Sequence, residues 1–425
     1  GKVNVKPVVF VSENPSWASS SVCGPIDRVL PSAFANFLGA LAERYDGDGD
    51  YNGDGIVDGP PIATVNDWQL YNEPDNRWTT GVASGFGGCW GNYPQQFAQL
   101  LALSYTAVHA ANPQARLIFG IAGEQVTCPE GWECAGNDIF NFNLVGGDFF
   151  DGVLAYRDAH PADYFDVADI HYYHGFHARW DPYGAGIIGK VAYYRQRLAA
   201  HGLSSIPIMV TEGGFRADSG AVIDGIPGSE ARQASYLVKM YMRALATNVG
   251  PVLWFTLQDD YMPAEGGWPA WGLLTSGSQP RLAYTAYKVL GRQIEAATNP
   301  QILLLASGQE GYRLMLPTGA SLDAVWGAGV YAVHTPSAIV TSIYGAATTV
   351  QAVGGRVSVT LGDVPQYVQA ASGPAPTATA TPMPYVQRVN AGDAAYVDGS
   401  GKAWAADRPF SAGGWGYAGG IPWGT

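Results

Sequence analysis

NDWQLYNEP, residues 66–74, is a short strand that stops abruptly on polar side chains. Trp68, Leu70 and Tyr71 suit a pleated, buried surface, Pro74 cannot continue a ladder, and Asn72 and Glu73 are left at the C-terminal end. The same arrangement recurs on both sides of it. PVVFVS (7–12), RLIFGIA (116–122), YFDVADIHYY (164–173), IPIMVTE (206–212) and GPVLWFTLQ (250–258) are further strands. Between them stand longer stretches such as 31–45, 93–111 and 229–248, whose apolar residues recur every three or four positions. Strands alternating with helices of this length predict a parallel sheet, and a doubly wound sheet and a barrel share that rhythm. The barrel is favoured because Asn72, Glu73, His171, Tyr173, Glu212 and Trp254 all fall at C-terminal strand ends, where a (β/α)8 barrel gathers its reactive groups. Six strands do not close eight. The expectation is therefore an α/β chain, a (β/α)8 TIM barrel lacking its first two strands, with Gly1 read as a cut inside the domain because GKVNVKPVVFVS (1–12) enters a strand without a leader.

Past residue 298 the pattern changes. Short alternating segments such as YRLMLP (312–317), DAVWGAG (323–329) and RVSVTLG (356–362) predict a small all-β sandwich. GPAPTATATPMP (373–384) is a Pro/Thr linker, extended by composition. The expected division is a barrel over 1–298, a β-sandwich over 299–372, the linker, and the start of a further domain over 385–425. Across 425 residues, 23 Lys and Arg face 36 Asp and Glu, a net charge of −13 with no long basic run, which argues against nucleic acid or an anionic membrane as partner. No apolar stretch approaches the roughly 18 residues of a membrane span. Cys23, Cys89, Cys128 and Cys134 form no C-x-x-C pair, so disulfides in a secreted protein are expected rather than zinc. Cys128 and Cys134 bracket PEGWE and can close a small loop, which leaves Cys23 with Cys89; four cysteines allow three pairings, and spacing does not choose among them.

Two strand-end carboxylates stand out. Glu73 lies between Asn72 and Pro74, and Glu212 ends IMVTEGGF, where Gly213 and Gly214 let the backbone turn without crowding. Either one alone also admits the plainer, less favoured reading of a solvated loop acid. As a pair facing each other across a barrel mouth they are what cleavage of a glycosidic bond with retention needs: two carboxyls about 5–5.5 Å apart, one protonating the leaving oxygen and one attacking the anomeric carbon. That chemistry requires Glu73 protonated and Glu212 ionised, so Glu73 is expected to sit high and Glu212 to be held low by hydrogen bonds.

The segments PSWAS (15–19), RYDGDGD (44–50), WQLYNEPD (68–75), DIHYY (169–173), VTEGGF (210–215), WFTLQDD (254–260) and WGLL (271–274) resemble clan A of the glycoside hydrolases, most closely family 39, which holds β-xylosidases and α-L-iduronidases. The resemblance implies that Glu73 is the acid/base and Glu212 the nucleophile, that Asn72 binds the sugar 2-hydroxyl, that His171 and Tyr173 lie beside the pair with Tyr173 bonded to the nucleophile, and that Trp254 floors the subsite. It also implies an arginine from the second barrel strand, which this chain lacks. RVNAGDAAYVDGSGKAWAADRPFSAGGWGYAGG (388–420) resembles the opening of a malectin-like carbohydrate-binding domain.

The loop DGDGDYNGDGIVDG (46–59) spaces oxygens like an EF-hand, with Asp50, Asn52, Asp54 and Asp58 as ligands, Asp46 and Asp48 in reserve, and Pro61 where the bidentate Glu belongs; a structural calcium is expected, against the plainer reading of a solvated acidic loop. Among the tryptophans after strands, Trp180 and Trp268 are the chosen stacking platforms, although such residues pack as often as they bind. Asp259, Asp260, Glu13 and Glu124 also follow strands, with capping or solvation as the plain reading. The function expected is a retaining glycoside hydrolase of plant or microbial polysaccharides or oligosaccharides, β-xylosidase-like, with a carbohydrate substrate and no catalytic cofactor. The alternative is a non-catalytic carbohydrate-binding protein on a degenerate barrel. No G-x-S-x-G elbow or phosphate-cradling loop supports an α/β hydrolase or phosphatase.

Overall fold

The computed structural model describes residues 6–75, 90–121, 149–173, 180–218, 222–223, 226–259, 270–370, 389–390, 396–397 and 403–406. The chain divides into two compact units, Gly1–Ala371 and Ser372–Thr425. The first opens with β1 (Val8–Val11), α1 (Ser32–Arg44), β2 (Asp67–Leu70), α2 (Pro94–Ala111), β3 (Arg116–Ile121), α3 (Phe149–Ala159), β4 (Val167–Ile170) and β5 (Tyr172–Tyr173). It continues through α4 (Ile187–Ala200), β6 (Ile208–Gly214), the two-residue strands β7 (Val222–Ile223) and β8 (Ile226–Pro227), α5 (Glu230–Ala246), β9 (Val249–Trp254) and α6 (Leu282–Ile294).

β1, β2, β3, β4, β6 and β9 pair side by side in chain order, every pair parallel, and β5 continues the line of β4 beyond His171. A doubly wound sheet reverses direction at a switch point; this one never does. The order is that of an arc of a (β/α) barrel, and among the described residues β1 and β9 do not pair with each other. All six strands read from sequence are present.

Side-chain alternation sorts the sheet into two faces. Leu117, Phe119, Ala168, Ile170, Ile208 and Val210 join the main core under the helices, whereas Val8, Ile118, Val167 and Met209 form a separate small cluster on the other face, inside the arc. The helices hold by ordinary means. Ser229 caps α5 by accepting the Arg232 N–H at 3.2 Å, with Glu230 in the first turn. At Gly39 a Cβ would stand 3.1 Å from the Ala107 carbonyl oxygen, so the missing side chain is what lets α1 and α2 approach. No helix among the described residues is long and apolar enough to cross a membrane.

β10 (Thr298–Ile302), β11 (Gln309–Met315), β12 (Ser321–Gly327), β13 (Val330–Val333), β14 (Ser337–Ser342), β15 (Ala347–Gln351), β16 (Val357–Thr360) and β17 (Gln366–Ala370) make a six-stranded sheet and the separate pair β13–β16, all antiparallel. Val325, Tyr331, Ala338, Val357, Val359, Leu361 and Val368, drawn from both sheets, share one apolar cluster. In the second unit only β18 (Val389–Asn390), β19 (Tyr396–Val397) and β20 (Ala403–Ala406) are described.

The acidic loop closes on itself. Asp46, Asp48, Asp50, Asn52, Asp54 and Asp58 each accept backbone N–H groups from within the loop, Asp50 taking those of Asn52, Gly53 and Gly55. Among the described residues no three of its carboxylates converge as metal-binding groups do. Local amides thus hold the loop in shape through these side-chain oxygens. Cys23 is disulfide-bonded, while Cys89, Cys128 and Cys134 lie outside the described residues.

Candidate active site

Period-2 alternation along β4 and β5 sends Asp169, His171 and Tyr173 to the inner face, one above another, from the barrel interior toward its mouth. On β6 the same alternation would put Thr211 inside and Glu212 outside. The register prevents this. Asp169 pairs with Met209, and Tyr172 with Gly213, so β6 spends one residue more than its neighbour across that interval; the pairing with β9 shifts in the same place. Such a bulge re-aims a side chain, and here Thr211 and Glu212 both reach the β4–β5 residues: the Thr211 hydroxyl to Asp169 and His171, Glu212 to Tyr173 and His171. Past β2, Tyr71 and Glu73 adopt left-handed backbone, with φ of 53° and 44°. Strain of this kind on non-glycine residues collects at functional sites, and here it turns Glu73 toward His171.

The carboxylates meet around that imidazole. His171 Nδ1 lies 2.8 Å from Glu73 Oε1 and 3.4 Å from Glu212 Oε2, the Tyr173 hydroxyl donates to Glu212 Oε2 at 2.9 Å, and one carboxylate oxygen of each glutamate and the ring nitrogen all fall within 4.8 Å of one another. Below the ring, Nε2 is 3.2 Å from Thr211 Oγ1 and 3.6 Å from Asp169 Oδ2. Lys190 of α4 donates to the His171 carbonyl at 2.6 Å. Burial works against a charged His171, but the charges of Glu212, Glu73 and Asp169 outweigh it and push the ring up to about 10. Burial also pushes the Glu212 carboxyl up, opposed by His171 and reinforced by Glu73. The expected low Glu212 is thus not what the structure has: desolvation exceeds the lowering by His171 and by the single tyrosine hydrogen bond.

The remaining sequence candidates divide. Asn72 is half-buried beside Glu73. Trp254 is half-buried, its indole N–H donating to the Trp271 carbonyl at 3.1 Å, and Trp271 itself stands edge-on to Tyr173 at 5.0 Å. His171, expected beside the pair and in contact with substrate, is 0% exposed and lies beneath the two carboxylates. Trp180 is a correction as well. At 1% exposed it packs against Tyr193 and Tyr194 with the Lys190 ammonium 5.1 Å from its ring centroid, so no sugar face can reach it. Asp259 is occupied by Arg281 and the Gly272 N–H, and Glu13 is exposed. Trp268, Asp260 and Glu124 lie outside the described residues.

Three further residues were not singled out from the sequence. Asp169 and Lys190, both 0% exposed, are ionisable groups under the site, and burial raises the Asp169 carboxyl against the lowering by His171 and Thr211; the i, i+2 spacing of Asp169 to His171 was the available signal. Trp17 is 68% exposed on the loop after β1, and that loop is anchored to β2 by the bond from the Tyr71 hydroxyl to Asn14 at 2.6 Å.

No protein family and no curated protein matches the sequence. Solved structures do share its architecture. They include a family 39 glycoside hydrolase from the gut symbiont Bacteroides cellulosilyticus WH2 (TM-score 0.59, 20% identity, 86% of this chain and 68% of that one). A glucosidase from Croceicoccus marinus is also similar (TM-score 0.55, 12% identity, 87% and 79%), as is CelM2, a bifunctional glucanase-xylanase from a metagenome library (TM-score 0.51, 12% identity, 80% and 69%). At these identities the likeness is one of fold, and it agrees with a parallel, barrel-like sheet flanked by helices.

Proposed function

We propose that this chain is a retaining glycoside hydrolase in which Glu212 is the nucleophile and Glu73 the acid/base. The observation that carries the reading is that one oxygen of each carboxylate, brought from separate strand ends, lies within 4.8 Å of one from the other, so the two groups are close neighbours. Retaining enzymes need about 5–5.5 Å between carboxyl groups, whereas inverting enzymes need about 6.5–9.5 Å to admit a water. The fold neighbours, all described as carbohydrate-cleaving enzymes, support the same class.

In this reading Glu212 attacks the anomeric carbon while Glu73 gives its proton to the leaving oxygen. Glu73 then takes a proton from water, which attacks the same carbon and releases Glu212. Tyr173 and His171 fix the attacking oxygen, and the His171 positive charge lets two carboxylates stand this close. Asn72 is assigned to the sugar 2-hydroxyl, Trp254 with Trp271 to the floor of the cleaved sugar's subsite, and the uncovered Trp17 indole to a sugar further along the chain. A β-xyloside leads the substrate candidates, and the disulfide at Cys23 suits a secreted enzyme. A panel of aryl glycosides, with the anomer of the first-formed product followed by NMR, tests the reading. Retained configuration is expected; inverted configuration rejects the double displacement, and cleavage of none rejects the glycosidase.

A further inference from the structure

The pair Glu73 and Glu212 rests on a buried polar layer that the chemistry above does not use. Asp169 of β4 is 0% exposed; its Oδ1 accepts the Thr211 N–H at 2.8 Å, and its Oδ2 accepts the Thr211 hydroxyl and lies 3.6 Å from His171 Nε2. Room for it is made across the sheet. A Cβ at Gly120, which pairs with Asp169 in register, would stand 3.1 Å from Asp169 Oδ2 and 2.5 Å from Gln69 Nε2. A carboxylate buried here without partners would be strongly destabilising, and a neutral residue would fill the layer without that penalty.

We propose that Asp169 is a positioning residue for the reaction: with Thr211 it holds the His171 ring so that Nδ1 faces Glu73 and Glu212 and Nε2 faces the barrel interior. The inference rests on the glycosidase reading and deepens it. The ring has two ends, and the two catalytic carboxylates occupy only one. Without a partner at Nε2 the ring could turn about its χ angles or lose its second proton, and the Nδ1 contacts that bring Glu73 and Glu212 together would loosen. Among the described residues, the ionisable groups around the ring take part: Glu73 from the end of β2 and Glu212 from β6 at the mouth, and Asp169 from β4 beneath, while Lys190 from α4 holds the His171 carbonyl. Thr211 is the neutral link, bonding both Asp169 and His171 with one hydroxyl.

The test is Asp169→Asn, with Thr211→Val as the milder second variant, examined by nitrogen NMR of the histidine rings and by kinetics on an aryl glycoside that the wild type cleaves. In the wild type both His171 ring nitrogens should carry protons throughout the neutral range. In Asp169→Asn the ring should release a proton about one pH unit or more below wild type, and kcat should fall about 100-fold, as misplacement of a catalytic group does, with KM within about twofold. Thr211→Val should move both readings the same way by less. A folded variant whose ring titrates as in wild type overturns the proposal, even if kcat falls, because a purely structural defect lowers kcat without changing the ring. A wild type that cleaves no glycoside defeats the glycosidase reading alone, and the ring titration still decides the hold of Asp169 on His171.

Discussion

Glu212 and Glu310 leave nearly the same fraction of side chain exposed, 22% and 25%, yet their surroundings move them in opposite directions. Burial works to raise both. At Glu310, on β11, it loses: Arg243 of α5 donates two hydrogen bonds at 2.7 Å, the Tyr312 hydroxyl and Trp326 indole add two more, and the carboxyl ends below its ordinary value. At Glu212 it wins: the His171 cation beside it is shared with Glu73 and Asp169, and among the described residues Tyr173 is the side chain that donates to it. Exposure alone therefore says little about what a buried acid is for. A carboxylate met by four donors ties two elements together; one that shares its cation with two other acids is the kind of perturbed group that gathers at functional sites.

The largest expected effect tests that difference directly. Glu212→Gln should lower kcat by about 10⁴-fold or more, as loss of a nucleophile does, and Glu73→Ala by about 10²–10⁴-fold on substrates with poor leaving groups, with azide restoring turnover on good ones. Stability should respond in the opposite sense. A carboxyl raised in the folded state loses stability as pH climbs past its unfolded value of about 4.5, so Glu212→Gln should melt higher than wild type at neutral pH, by about 1 kcal/mol. Arg243→Met should do the reverse, costing about 2 kcal/mol by leaving Glu310 under-bonded while kcat on an aryl glycoside stays unchanged. Urea unfolding and kinetics on the same preparations check both.

Acid and base should then separate the two regions. Glu310, depressed in the folded chain, stabilises above its unfolded value and loses that stability as pH falls through its folded value. His171, raised from 6.5 to about 10, stabilises fully below 6.5 and loses its contribution as pH rises toward 10. The melting temperature should therefore decline on both sides, with Arg243→Met flattening the acid side and His171→Gln the alkaline side. The smallest effect belongs to Trp17: Trp17→Ala should raise KM for a long oligosaccharide about three- to tenfold, the worth of one aromatic contact, and leave an aryl monoglycoside unaffected.

Much of this architecture was legible in the sequence. Six short apolar strands alternating with helices marked the parallel sheet, and WQLYNEP and VTEGG marked both catalytic candidates without any structure. Helices α3, α4 and α6 were harder to place, because FF, II and inserted glycines such as Gly152 and Gly189 blur their three- and four-residue spacing. At Gly189 the reason is close packing, since a Cβ would stand 2.2 Å from the Trp180 carbonyl oxygen. The bulge in β6 was illegible, as one extra residue leaves no mark in a run of seven and yet decides which way Glu212 points. The tryptophans misled for a related reason. Trp180, buried, and Trp17, uncovered, both follow strands in Gly- or Ser-rich loops, and only packing distinguishes a core indole from a platform.

The most direct test of Glu212 is covalent trapping. A 2-deoxy-2-fluoro glycoside of whichever sugar the panel identifies slows release of the glycosyl-enzyme, and peptide mass spectrometry locates the attached sugar. A single label is expected on the Glu212 carboxyl, absent from Glu212→Gln. A label on Glu73 or any other residue, or rapid turnover with no label, would contradict it.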